Sequence, residues 1–250
     1  MPIALETAGL EKHFGGIAAV NGLSLTIEKG ARHALIGPNG AGKTTVINLL
    51  TGVLPPSAGR ILLEGSDITA LKAHKRVRLG IARTFQINQL FLDLTPLEMV
   101  GLAISERMGT GAQWWRLLGT KATVMEEIVE LLARFHLTDV MLERTGNLPY
   151  GKQRLVEIAL ALATRPRILL LDEPAAGIPA SESAELFGVL AALPRDVTIL
   201  FIEHDMGLVF RFAERITVLV GGRFLVEGTP AEIAADNRVK EVYLGEAQHG

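Results

Sequence analysis

The stretch Leu148–Pro174, LPYGKQRLVEIALALATRPRILLLDEP, decides the fold, because a glycine-containing turn leads into an apolar-faced helix and then a strand ending in two carboxylates. Ile168 to Leu171 is an unbroken apolar run, the pattern of a strand buried on both faces of a parallel sheet. Asp172 and Glu173 follow at its carboxyl end, where open α/β sheets bind their ligands.

Outward from this stretch, segments between Ile3 and Ile27 alternate apolar and polar residues, notably at Leu23, Leu25 and Ile27, which predicts antiparallel strands with one solvated face. Lys29-Gly30 makes a turn, and Ala34-Leu35-Ile36 reads as a strand entering Gly37. Val46 to Leu50 continues with helical spacing to a stop at Gly52. After the turn cluster Pro55-Pro56-Ser57-Ala58-Gly59, Arg60 to Glu64 reads as a strand and Ala70 to Leu79 as an exposed basic helix. Thr95 to Leu142 is mostly helical, with Met108 to Thr123 as an irregular insertion around Trp114-Trp115. The tryptophan pair suits either a satellite apolar cluster or a contact with a membrane partner or headgroup. Strand–helix alternation resumes after Arg167, with strands at Thr198 to Ile202 and Ile216 to Val220, so the helical part is an insert in an α/β domain. The expected organisation is a single domain of 1–250, with an α/β core over 1–87 and 160–250 and a helical subdomain over 88–159.

The composition narrows the class. With 250 residues and 48% hydrophobic content the chain can bury a substantial core. A net charge of -2, from 25 basic and 27 acidic residues, provides no basic field for a nucleic-acid partner. Absence of cysteine excludes a disulfide framework and thiolate metal sites. No apolar run nears the ~20 residues needed to span a bilayer, and no charged segment leads into a signal core. A cytoplasmic location is expected, and any membrane role must come through a partner.

Gly37-Pro38-Asn39-Gly40-Ala41-Gly42-Lys43-Thr44, continued by Thr45, fits a phosphate-binding loop and lies between an expected strand and an expected helix. The glycines let backbone N–H groups curl round phosphates, Lys43 reaches the terminal phosphates, and Thr44 places a hydroxyl on Mg²⁺. The following helix aims its positive end at the nucleotide. Asp172 suits the position that organises Mg²⁺ through water, and Glu173 the general base that orients an attacking water. His204 also stands at the carboxyl end of a strand, where it either touches the γ-phosphate or serves the structure alone. Gln86 follows the short strand Ile81 to Thr84 and reads either as a Mg²⁺ ligand or sensor or as an ordinary loop residue. Phe14 either stacks on adenine or packs in the N-terminal sheet.

Together these residues resemble an ATP-binding cassette (ABC) ATPase over the whole chain: GPNGAGKTT from Gly37, TFQ ending at Gln86, LPYGKQR from Leu148, ILLLDEP from Ile168 and EHD around His204. The resemblance implies a P-loop NTPase (RecA-like) core with an N-terminal antiparallel β subdomain and an inserted α-helical subdomain. It also implies a head-to-tail dimer in which each ATP lies between the phosphate loop of one copy and the turn at Leu148 to Lys152 of the other. Longer segments, ARTFQINQLF from Ala82, GNLPYGKQR from Gly146, LDEPAAG from Leu171, IEHDMGLV from Ile202, and GTPAEI with a later VYLG, resemble the ATPase subunits of branched-chain amino acid importers. That implies ATP and Mg²⁺ as cofactors, and a homodimer or a heterodimer with a second ABC ATPase. Integral membrane permease subunits would dock on the helical insert near Gln86, and a periplasmic solute-binding protein would act indirectly. The implied location is the cytoplasmic face of the inner membrane, as a peripheral subunit.

Two stretches depart from the family. In the turn, Leu148, Pro149, Tyr150, Gly151 and Lys152 stand where the family has Leu-Ser-Gly-Gly-Gln. Pro149 removes the hydroxyl that bonds the opposite γ-phosphate, leaving the N–H groups of Tyr150 and Gly151 to serve; Lys152 either adds a cation there or faces solvent. Pro179 stands where an Asn or Asp usually follows the catalytic glutamate, and it keeps a rigid turn without a side-chain acceptor. The expected function is ATP hydrolysis powering an importer of branched-chain amino acids or a related small polar solute such as urea or an amide. A soluble ABC protein acting on ribosomes or DNA would carry two cassettes or a long coiled coil, and a P-loop kinase would need an acceptor lid.

Overall fold

The computed structural model describes residues 2–84, 90–109 and 122–246. Gln86, the Trp114-Trp115 pair and most of the irregular insertion lie outside the described residues. The chain forms two compact units, one from Met1–Arg83, Arg167–Pro174 and Pro194–Gly250, the other from Thr84–Pro166 and Ala175–Leu193.

The first unit opens with two long antiparallel strands, β1 (Ile3–Phe14) and β2 (Ile17–Glu28), which bury Leu5, Leu10, Leu23, Leu25 and Ile27 and leave alternate residues in solvent. Next come β3 (Arg32–Ile36), α1 (Lys43–Thr51), β4 (Ala58–Leu63), the short β5 (Ser66–Asp67), α2 (Ala73–Arg78) and β6 (Ile81–Arg83). The strands β2-β1-β4-β5 make a four-stranded antiparallel sheet.

The second unit contributes α3 (Pro96–Arg107), α4 (Ala122–Arg134), a 3-10 turn at Thr145–Asn147 and α5 (Tyr150–Ala163). Arg107 forks onto both oxygens of Glu127 at 2.7 and 2.9 Å and donates to the carbonyl of Ala163, joining α3, α4 and α5.

The chain returns to the first unit as β7 (Ile168–Asp172), leaves it for α6 (Ala180–Ala191), and finishes with β8 (Thr198–Ile202), α7 (Met206–Phe212), β9 (Arg215–Val220), β10 (Arg223–Gly228), α8 (Pro230–Ala235) and α9 (Asn237–Glu246). The second sheet runs β10-β9-β3-β8-β7-β6, parallel except for the edge strand β10, which the residue pattern did not announce. Every residue of β3, β7 and β8 is buried, as expected of central strands in a covered parallel sheet. This order carries the carboxyl ends of β3, β7 and β8 to one edge.

The expected exposed helix over Ala70 to Leu79 is shorter and partly interior. Helix α2 begins only at Ala73, and Arg76 is 1% exposed. Its guanidinium donates to the carbonyls of Leu49, Leu50, Thr69 and Leu71 at 2.7–2.9 Å, capping the C-terminal end of α1. Burial holds the Arg76 pKa below the usual arginine value, Asp67 offsetting part of that.

Candidate functional site

The parallel sheet places Gly37 directly after β3, and the loop from Gly37 to Gly42 enters α1 without a side-chain cap. Gly42 has φ 93°, and a Cβ there would collide with the carbonyl oxygen of Ala19 on β2, so only glycine brings the loop this close to the neighbouring sheet. Ala41 accepts from the N–H of Gly222 at 3.1 Å, which ties the loop to the β9–β10 turn. Lys43 is 7% exposed and folds back on the loop, donating to the carbonyls of Gly37 at 2.7 Å and Pro38 at 3.0 Å. An uncapped helix start behind a glycine loop presents N–H donors and the positive end of the helix to an anion.

Asn39, Gly40, Ala41, Gly42, Lys43, Thr44 and Thr45 line a cavity of about 240 Å³ together with Ala19, Glu173 and His204. Four separate stretches of sequence therefore converge on one recess. Glu173 adopts a left-handed backbone, φ 52°, and its N–H donates to the carbonyl of Ile202 on β8. Its Oε1 lies 2.7 Å from Nε2 of His204, and Glu203 Oε2 accepts from the backbone N–H of His204. A carboxylate and an imidazole thus fix each other beside the loop, the imidazole as donor when Glu173 is ionised.

Asp172 has a fully buried side chain. Burial raises its pKa above the usual aspartate value, and Arg83 works against that shift. Oδ2 accepts from Arg83 at 2.8 Å, whereas Oδ1 is buried with no hydrogen-bond partner among the described residues. The orphaned carboxylate oxygen of Asp172 and the hydroxyls of Thr44 and Thr45 at the start of α1 are hard oxygen donors, the kind that Mg²⁺ takes. Among the described residues no cluster of three or more acids or histidines could hold a metal alone, so a cation here would draw its remaining ligands from phosphate and water.

Phe14 and the Tyr150–Lys152 turn lie on other elements. Phe14 ends β1, is 48% exposed with Lys12 Nζ 5.2 Å from its ring centre, and does not line the cavity. Tyr150, Gly151 and Lys152 form the first turn of α5 in the second unit, with Pro149 as the N-cap residue and no side-chain cap. A Cβ on Gly151 would meet the carboxylate of Glu182, the movable end of a side chain that would have to swing aside. Lys152 donates to the carbonyl of His136 at 2.6 Å. Arg83, Asn48 and Glu203 contact these groups and were missed from sequence. For Arg83 a signal existed: a buried strand-end aspartate calls for a counter-charge, and an arginine closes the short strand Ile81–Arg83.

A parallel sheet, a glycine loop with an uncapped helix, and adjacent carboxylates on another strand end define a phosphate-loop nucleoside triphosphatase. Residues 20–176 match the family model described as ABC transporter, and residues 225–249 match the one described as branched-chain amino acid ATP-binding cassette transporter. The chain is 42% identical to the high-affinity branched-chain amino acid transport ATP-binding protein BraF of Pseudomonas aeruginosa, over 97% of this chain and 98% of that protein. It is 40% identical, over the same shares, to LivG of Escherichia coli, which bears the same description. Its fold superposes with a TM-score of 0.84 and 31% identity on the ADP conformation of MJ1267, an ATP-binding cassette of an ABC transporter, covering 98% of this chain and 100% of that one. The chain belongs to the ABC transporter family as an ATP-binding, ATP-hydrolysing cassette.

Proposed function

We propose that this cassette powers an importer of branched-chain amino acids. The observation that carries this reading is the match of residues 225–249 to the branched-chain family, since that segment lies beyond the nucleotide motifs. The full-length similarity to BraF and LivG supports it.

In this reading the loop from Gly37 to Thr45 wraps the phosphates, with Lys43 turning from its own carbonyls to the β- and γ-phosphates. Exchange of two neutral acceptors for charged ones favours the move. Thr44 and Asp172 would hold Mg²⁺, Asp172 through water. Bound there, the ion would neutralise charge on the β- and γ-phosphate oxygens. Glu173 orients the attacking water and accepts its proton, while His204 holds the carboxylate in place and faces the γ-phosphate. Phe14, half exposed, would stack on adenine. Tyr150 and Gly151 offer backbone N–H groups to the γ-phosphate bound by a second cassette, identical or related, with Lys152 as a nearby cation. Gln86 keeps its proposed place as a Mg²⁺ ligand and link to the permease.

Among the described residues no helix is long and apolar enough to cross a membrane, so coupling runs through permease subunits at the cytoplasmic face of the inner membrane, fed by a periplasmic binding protein. The test is uptake by proteoliposomes that contain this chain with its copurifying membrane subunits. ATP-dependent uptake of labelled leucine or valine, competed by isoleucine, is expected; uptake of urea or an amide instead would reassign the cargo.

A further inference from the structure

Arg83 closes β6, which pairs in parallel with β7 so that Arg83 lies opposite Leu170. Its guanidinium is 11% exposed and reaches two elements at once. One nitrogen donates to Asp172 Oδ2 at 2.8 Å, and the other donates to Asn48 Oδ1 at 2.5 Å. Asn48 lies on α1 four residues after Thr44, on the same helix face. The planar fork therefore ties the helix that carries Thr44 to the strand end that carries Asp172, and it occupies one carboxylate oxygen while leaving Oδ1 without a partner.

We propose that Arg83 is the positioning residue of the divalent-cation site, holding Thr44 and Asp172 at a fixed separation through Asn48 and Asp172 Oδ2. This rests on the reading of Thr44 and Asp172 given above. A planar donor with rigid spacing suits the task, because its two bonds fix both the rotamer of the carboxylate and its distance from α1; an ammonium offers a point charge and satisfies one partner at a time. Partners that orient metal-binding groups typically change metal affinity by about 10–100-fold when removed. Repulsion between the guanidinium and the ion works in the opposite sense, so the sign of the effect separates positioning from simple charge competition.

The test measures Mn²⁺ affinity at saturating ADP from the electron paramagnetic resonance signal of free Mn²⁺, ADP affinity in EDTA, and thermal stability. Arg83→Met is expected to weaken Mn²⁺ about tenfold, Asn48→Ala about threefold, and Arg83→Lys to recover part of the loss, with metal-free ADP binding unchanged in all three. Unchanged or tighter Mn²⁺ binding in folded Arg83→Met overturns the proposal, as does a parallel loss of metal-free ADP binding. If Arg83→Met does not fold, Asn48→Ala, which removes one arm, decides on the same criteria. Asp172→Asn separates the two levels: no effect of that change on Mn²⁺ removes the cation reading itself, whereas loss there with a neutral Arg83→Met removes only the role of Arg83.

Discussion

The phosphate loop and the Leu148 to Lys152 turn each start a helix on a residue that offers no side-chain cap, Gly42 for α1 and Pro149 for α5, and α6 starts the same way on Pro179. By contrast α3, α7 and α8 begin on Thr95, Asp205 and Thr229, whose side chains accept from the first turn. The loop and the turn are equipped differently. Around the loop, Lys43, Glu173 and His204 share one cavity. Around the turn, charge is consumed inside the unit: Lys152 bonds His136, His136 meets Glu185 at 3.2 Å, and Arg154 pairs with Glu157 at 2.7 Å. The loop thus carries its own chemistry, whereas the turn offers backbone donors and shape. That asymmetry suits the head-to-tail pair of cassettes proposed above, in which the turn would need only to recognise a phosphate held by the other copy.

The largest effect should come from breaking the equipped side. Glu173→Gln keeps the size of the residue and a donor or acceptor for His204 but removes the proposed base, so phosphate release should fall about 10²–10⁴-fold while ATP binding persists. Near-normal hydrolysis would move the base elsewhere and dissolve the contrast between loop and turn.

Acid probes the strand beneath the loop. His33 on β3 is 1% exposed, and burial lowers its pKa to about 4 from the ordinary histidine value of 6.5; Glu227 opposes that shift and Arg215 adds to it. Thr217 gives its proton to Glu227, so at 2.8 Å its oxygen accepts from Nε2–H of a neutral His33. The sign follows: above pH 6.5 both folded and unfolded states hold neutral imidazole, and between 6.5 and 4 only the unfolded state takes up the proton. Stability is full above 6.5 and is lost as pH falls toward 4, by about 2 kcal/mol between pH 7 and 5 for this group. Urea denaturation at those two values should show the loss, and His33→Gln should reduce it; an unchanged difference would acquit the histidine.

Restoring the missing hydroxyl sharpens the other side. Pro149→Ser should strengthen ATP-dependent dimerisation about fivefold when measured in the Glu173→Gln background, the worth of roughly 1 kcal/mol for one hydrogen bond. If dimerisation is unmoved, the N–H groups of Tyr150 and Gly151 already satisfy the phosphate.

What could be read from the residues alone was local. The loop from Gly37 to Thr45, the buried strand ending at Asp172 and the turn before α5 each announce themselves within ten residues, by glycine spacing or by an apolar run. Arg76 was misread because a cation in LKAHKRVRL looks like one of a solvated set; its burial depends on carbonyls at Leu49 and Leu50, more than twenty residues upstream. The Arg83, Asn48 and Asp172 contact joins three positions whose proximity exists only once β6, α1 and β7 are assembled. The pairing of Glu173 with His204 was half legible, since both follow strands, but the 2.7 Å contact depends on β7 and β8 being neighbours.

Lys152 should give the smallest effect and the finest discrimination. Its ammonium is exposed and already bonded to the His136 carbonyl, and that residue holds a left-handed backbone, φ 53°, just beyond α4. Leaving this bond for a phosphate exchanges a neutral acceptor for a charged one, but solvent screening limits the gain to a few tenths of a kcal/mol. Lys152→Ala should therefore change ATP turnover by no more than about threefold, with the difference vanishing at high salt. A tenfold loss that resists salt would mean that the lysine abandons His136 in the closed dimer, and the turn would then count, like the loop, as a site that brings its own charge.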